Sequence, residues 1–297
     1  MTPQKFRVAI AVFTYGGSSC AEWLRPEIAE WFVDAAMYCR DEPRIDSLVG
    51  PISIATTPLS FGRNLAFKKA KEAGADFLLM MDNDLKPDSR VGLDSRARPF
   101  LPAAFNFLAD RYHLGPHVVA GPYMCVDDGA AKLHAYRTVS RLGIDKTDPA
   151  ELDMAPVTRY EAAISTGFEP MVSSIVGWSL SDIRVKDLLG PTGFHHEYDD
   201  HHEVRVGTED LSATRDMVLA AQAKGLPHPL YMNWDGWAGH YKVVMIDKPE
   251  VLEVDTAVRS MRAAIEHATE KDVHRVYVDE QRGMLAETNG KGALVTA

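Results

Sequence analysis

Two carboxylates separated by one residue stand where a buried apolar run stops: Asp76-Phe77-Leu78-Leu79-Met80-Met81 leads directly into Asp82-Asn83-Asp84. Open α/β sheets bind ligands beyond the carboxyl ends of their strands, so such a pair can face a common site. Oxygen ligands of this kind suit a hard divalent cation. A cation placed there can bridge a diphosphate and stabilise the charge of a departing nucleoside diphosphate. An isolated Asp-x-Asp is more often an acidic turn, so the reading depends on what the rest of the chain brings to it.

Several further groups bear on that chemistry. Arg63-Asn64 opens a helix expected to be capped by Ser60 and ended by Gly74. Free N–H groups and a permanent cation at that helix start suit phosphate oxygens. Thr14-Tyr15-Gly16, after the first strand, can form the wall against which a nucleotide base stacks. Gly207-Thr208-Glu209-Asp210 precedes a late helix. Its acidic residues complement the helix dipole, and one of them can take the proton from an attacking hydroxyl. His240 follows an aromatic stretch, Tyr231 to Trp237. As a third ligand beside the two aspartates it suits Mn²⁺ better than Ca²⁺. The nine residues His195 to Glu203 hold four His and four carboxylates. They read as a second metal site or as a polar loop over the acceptor side. Without a fixed ligand spacing, the loop is favoured.

The elements that position these groups alternate. Val8 to Phe13 is a continuous apolar run, expected as a central parallel strand. A helix from about Ala21 to Tyr38, a strand at Ile52 to Ala55, the helix from Ser60 and the strand into Asp82 complete a β-α-β-α-β order. That order predicts a parallel sheet with helices on both faces. Beyond it come a helix near Pro99 to Arg111, a strand from Val118 and a polar loop over Gly143 to Pro156. Met171 to Val176 reads as a strand, Glu209 to Lys224 as a helix and Thr256 to Ala268 as a C-terminal helix. The tail from Asn289 to Ala297 is expected to fray.

The 297 residues suffice for one large α/β domain or two small ones. A net charge of −10 argues against a dedicated nucleic-acid-binding module. Three widely spaced cysteines, Cys20, Cys39 and Cys125, give no disulfide framework. A reducing, cytoplasmic setting is therefore expected. The first apolar run is too short to span a bilayer, so no membrane anchor is expected.

Taken in order, Thr14-Tyr15-Gly16, Arg63-Asn64 and the strand into Asp82-Asn83-Asp84 resemble the GT-A nucleotide-sugar glycosyltransferases. The likeness is greatest to the compact family-2-like enzymes of phages and bacteria. Gly121, Val176-Gly177-Trp178 with Leu188-Leu189-Gly190-Pro191, Glu209-Asp210 and Gly239-His240 are similar to later features of that family. The resemblance covers about residues 6 to 246. It implies an α/β GT-A (Rossmann-like) fold, a mostly parallel central sheet flanked by helices with a merged acceptor-binding half. The nucleotide half would span about 1–125 and the acceptor half about 126–250 of a single domain, with a helical extension and tail over 251–297.

The resemblance further implies that Asp82, Asp84 and His240 hold Mn²⁺ or Mg²⁺. Thr14, Tyr15, Gly16, Arg63, Asn64, Asp82 and Asn83 would then contact the nucleotide-sugar donor, with a UDP-sugar the commonest choice. Asp210 would be the base of an inverting transfer, with Glu209 as fallback. The acceptor stays open among a small molecule, a glycan, a protein and a modified DNA base. Sugar nucleotidyltransfer and metal-dependent hydrolysis through His195 to Glu203 are the alternatives. The loop Tyr15 to Ser19 has no Lys or Arg, which counts against nucleotidyltransfer. Two departures stand out: Trp178, where a small acceptor-side residue is expected, and the inserted Gly143 to Pro156 region.

Overall fold

Strand β1 (Phe6–Phe13) is apolar because it is covered on both faces. Its side chains alternate between two cores: Ala9, Ala11 and Phe13 enter one, Val8, Ile10 and Val12 the other. The computed structural model describes residues 4–14, 25–55, 59–127, 130–138, 154–198, 205–241, 245–246, 286–289 and 293–296. Helix α1 (Pro26–Asp41) starts with proline in its first turn and buries Ile28, Trp31, Ala35 and Cys39. Strand β2 (Ile45–Ile54) follows, then α2 (Leu59–Glu72) and β3 (Phe77–Asp82). Ser60 lies inside the first turn of α2, not at its cap, and Gly74 follows the helix end at φ +70°.

Short β4 (Leu85–Lys86), α3 (Phe100–Arg111) and β5 (Val118–Ala120) come next. After them lie β6 (Cys125–Asp127), β7 (Ala130–Lys132), β8 (Ala135–Thr138) and β9 (Met154–Pro156). Helix α4 (Arg159–Ile164) opens on a capping box between Thr158 and Glu161. The expected strand at Met171 to Val176 is cut short instead. Only β11 (Ser173–Ser174) forms there, paired with β8, while β10 (Phe168–Pro170) precedes it and β12 (Trp178–Asp182) follows it in the chain. The chain then forms β13 (Glu197–Tyr198), β14 (Arg205–Gly207), α5 (Glu209–Ala223), β15 (Leu230–Asn233), β16 (Gly239–Tyr241) and β17 (Met245–Ile246). Where a frayed tail was expected, β18 (Ala286–Asn289) pairs with β19 (Ala293–Thr296). The expected helix from Thr256 to Ala268 and most of the Gly143 to Pro156 loop lie outside the described residues.

The central sheet has seven strands in the order β10-β15-β5-β12-β3-β1-β2. The pairings β1–β2, β1–β3 and β5–β15 are parallel, whereas β12 opposes both its neighbours and β10 opposes β15. The sheet is therefore mixed, with β10 and β12 reversed against the other strands. Helices α2 and α5 cover one face, through Ala66, Phe67, Met217 and Val218. Helices α1 and α3 cover the other, through Ile28, Trp31, Phe100 and Phe105. Trp178 belongs to that second core. It packs on Phe100 at 4.6 Å and Trp31 at 5.4 Å, and its indole N–H donates to the Gly236 carbonyl at 3.0 Å. A side chain at Gly121 would collide with it. Trp178 thus fills the core and does not shape an acceptor pocket. Among the described residues no helix is long and apolar enough to cross a membrane.

Candidate functional site

At the carboxyl end of β3 the backbone is pinned on both sides. The Asp82 N–H donates to Gly177 O at 2.8 Å and the Asn83 N–H to Phe13 O at 3.2 Å. The chain then turns into β4, which pairs antiparallel with β16 so that Leu85 stands opposite His240. This ribbon brings the Asp84 carboxylate within 3.0 Å of His240 Nε2. On the other side of the ring, His240 Nδ1 lies 2.8 Å from the Met124 carbonyl. A carbonyl only accepts, so Nδ1 carries a proton. In the neutral ring a lone pair at Nε2 then faces a carboxylate oxygen, and either a proton or a metal cation between them resolves that contact. A histidine that fixes its tautomer on a backbone carbonyl and offers its other nitrogen is oriented as metal-ligating histidines are.

The opposite side of the site is organised by Arg63. Its side chain is fully buried and lies over the Phe13 ring at 4.5 Å. Nη1 donates to Asp82 Oδ1 at 2.9 Å, and Nε donates to Asp210 Oδ1 at 3.1 Å. Nη2 reaches Asp82 Oδ2 at 3.4 Å and Asp210 Oδ2 at 3.3 Å. One guanidinium therefore ties β3 to the first turn of α5. Asp210 also accepts the Val176 N–H at 3.0 Å. Burial pushes Asp82 above the usual carboxylate range, opposed by Arg63. Burial, then the neighbouring Asp210, push Glu209 up to about 7. Gly177 is required at this point, because any Cβ would run into the Asp82 carboxylate and the buried Tyr123 hydroxyl.

These groups line one cavity of about 300 Å³, with Arg63, Asp82, Asp84, Glu209, Asp210 and His240 all on its wall. Among the described residues the wall carries four carboxylates, Asp82, Asp84, Glu209 and Asp210, and one guanidinium, Arg63, so it is acidic when the carboxylates are ionised. Of the other expected residues, Thr14 is buried at the end of β1, where its N–H donates to Ile54 O at 2.9 Å. Neither Thr14 nor the buried Asn83 is on the cavity wall. Asn64 is engaged elsewhere: its amide holds both backbone groups of Phe194, at 3.0 and 3.1 Å, and accepts from Lys186 at 3.2 Å. Tyr15 and Gly16 lie outside the described residues. The wall also contains Leu59, Tyr123, Cys125, His134, Ile175 and Thr208. Of these, Tyr123 carried a signal, since it stands three residues beyond the end of the central strand β5. Cys125 and His134 carried none, being contributed by β6 and the turn before β8.

Among the described residues no group of three or more His, Cys, Asp or Glu is placed so that it could hold a metal ion. Both Asp82 oxygens face Arg63, which leaves Asp84 and His240 as the pair oriented toward a cation. Two protein ligands fit a hard ion that completes its shell with phosphate oxygens and water.

No family model and no curated protein matches the chain. Among solved structures it is similar to A197 from STIV, at 11% identity and a TM-score of 0.43, over 82% of this chain and 95% of that one. A likeness at that level carries no argument about activity.

Proposed function

We propose that the chain is a metal-dependent glycosyltransferase that moves a sugar from a nucleoside-diphosphate sugar to an acceptor hydroxyl. One observation carries this reading. Asp84 with an oriented His240 and Glu209 with Asp210 line the same cavity beyond the strand ends. The first pair suits a cation that holds a diphosphate, and the second suits a base. The acidic wall favours the same conclusion, because a diphosphate entering it alone meets like charge. Two unit charges about 4 Å apart near a protein surface interact by roughly 4 kcal/mol.

Asp84 and His240 would hold Mn²⁺ or Mg²⁺, and the bound ion supplies the positive charge that stabilises the leaving diphosphate. Glu209 takes the proton from the acceptor hydroxyl. The acceptor oxygen bonds to the anomeric carbon as the sugar–phosphate bond breaks, and the electron pair leaves with the nucleoside diphosphate. Asp210 is the weaker candidate for base, since Arg63 and the Val176 N–H hold its carboxylate. Its role on this reading is to anchor α5 against β3. Glu209, pushed up to about 7, has the basicity that proton transfer near neutrality needs.

The test is thermal stability with a panel of nucleoside diphosphates, uridine diphosphate first, with and without Mn²⁺. A ligand that binds the folded state raises the melting temperature by mass action. The expected result is a metal-dependent rise with one nucleotide that Asp84→Ala abolishes. No rise with any nucleotide sinks the reading.

A further inference from the structure

The histidine-rich segment falls outside the family resemblance, and residues 199–203 of it lie outside the described residues. Its first residues are anchored on both flanks. Upstream, Asn64 on α2 holds the N–H and carbonyl of Phe194, whose ring packs 6.0 Å from Phe67. Downstream, Glu197 pairs with Gly207 in the β13–β14 ladder, and Arg215 on α5 grips its carboxylate. His195 is occupied as well, with Nδ1 2.9 Å from Gly193 O and Nε2 3.7 Å from Asp216. Between these anchors His196 Nδ1 lies 3.5 Å from Glu209 Oε2, and the two side chains are 18% and 9% exposed.

Among the described residues, the charged and titratable groups that face Glu209 are Asp210 on its own helix, Arg63 from α2, Asp82 from β3 and His196 from the anchored segment. Arg63 is already shared between Asp82 and Asp210. The imidazole is the partner whose charge can change near neutrality.

We propose that His196 is a positioning residue for Glu209: its imidazole sets the charge and orientation of the cavity carboxyl, so proton uptake by this pair gates the acceptor side of the site. The proposal rests on the reading of Glu209 as the base. As an imidazolium, His196 donates toward Oε2 and holds the carboxylate ionised and in place. As its charge is lost, Glu209 gains a proton more readily and its orientation is no longer fixed.

The experiment is an NMR titration of the full chain carrying ¹³C-labelled glutamate and histidine, from about pH 5 to 9, the range that brackets histidine. Glu209→Gln assigns the carboxyl signal and His196→Asn the ring signal. In the wild-type chain both signals are expected to report shared steps. In His196→Asn the Glu209 midpoint is expected to rise by about one pH unit, the lower end of what a close opposite charge contributes. Independent titration of the two signals in the wild type, or an unmoved Glu209 midpoint in the variant, overturns the proposal. The wild-type comparison needs no variant, so a misfolded substitution leaves the test intact. The nucleotide melting assay on the same sample separates the two claims. A metal-dependent nucleotide shift with uncoupled titrations refutes His196 and spares the glycosyltransferase reading. Coupled titrations without any nucleotide shift support the pair and refute that reading.

Discussion

Replacing Arg63 by methionine tests whether this residue is a structural clamp or a phosphate ligand. The substitution keeps much of the side-chain volume and removes the one guanidinium on the cavity wall among the described residues. It leaves Asp82 and Asp210, both nearly inaccessible, without the cation that lies between them. Breaking a buried ion pair by removing one partner costs about 3–5 kcal/mol, and the lost contact with the Phe13 ring adds up to about 2 kcal/mol. The pH dependence has a definite sign. Burial already raises Asp82 above its unfolded value, and Arg63 opposes that rise. Without Arg63 the native carboxyl holds its proton to still higher pH than the unfolded chain does. Native protons then outnumber unfolded ones in that window, so the stability of the variant falls as pH rises through it. The deficit against wild type is therefore larger at neutral than at mildly acid pH. Urea unfolding of both chains at about pH 5 and about pH 7.5 measures it. A deficit below about 1 kcal/mol, the range of an exposed ion pair, refutes the clamp. If such a variant also loses the nucleotide-dependent melting shift, Arg63 acts on phosphate, as its place near the start of α2 first suggested.

Three further outcomes follow from the same geometry. Gly177→Ala should destabilise by about 1–3 kcal/mol through overpacking against Asp82 and Tyr123, read as a lower melting temperature without any ligand. His240→Ala should keep the central sheet, by circular dichroism, while weakening Mn²⁺ binding at least about tenfold in a calorimetric titration. Unchanged Mn²⁺ affinity would remove His240 from the ligand set. Glu209→Gln should lower turnover by about 10²–10⁴-fold and flatten the rise in rate expected of wild type as pH passes about 7, whereas Asp210→Asn should chiefly lower stability. The reverse pattern would restore Asp210 as the base.

How much of this was legible in the sequence follows from what covers each element. Val8 to Phe13 and Phe77 to Met81 are buried on both faces, so they read as unbroken apolar runs, and the strands were found with nearly correct ends. Strand β2 was placed only at its last residues. It lies at the sheet edge, half exposed, so Asp46, Ser47 and Gly50-Pro51 hide its first half from any apolar pattern. The reversal of β12 left no trace in its residues, because direction is set by the connections around it. The groups gathered in the cavity were named from their order along the chain, but their partners were not. Asp84 meets His240 through β4, two residues long and too short to show a period. Arg63 lies 19 residues from Asp82 and 147 from Asp210, so nothing local marks it as buried or shared. A cation in the first half of a helix reads as surface, and only the fold supplies the two carboxylates that bury it.

That clamp also decides which carboxylates remain for chemistry. By holding Asp82 and Asp210, Arg63 fixes the end of β3 against the start of α5. Asp84 and Glu209 are left outside the clamp, one beside His240 and the other beside His196. Each of these two carboxylates thus has an imidazole neighbour, and the two imidazoles are held differently. His240 is locked by the Met124 carbonyl with one nitrogen committed, the state that suits a cation. His196 belongs to a segment anchored only at its flanks, the state that suits a proton-responsive partner. On this reading the cavity separates its two tasks by how each histidine is held: charge neutralisation of the donor on the β4–β16 side, proton removal from the acceptor on the α5 side. The excess negative charge of the wall then sets the order of binding. The cation must precede the donor, so a nucleoside diphosphate without Mn²⁺ should leave the melting temperature unchanged while Mn²⁺ alone raises it. A nucleotide that stabilises the metal-free chain would refute that order and, with it, the electrostatic argument for the metal.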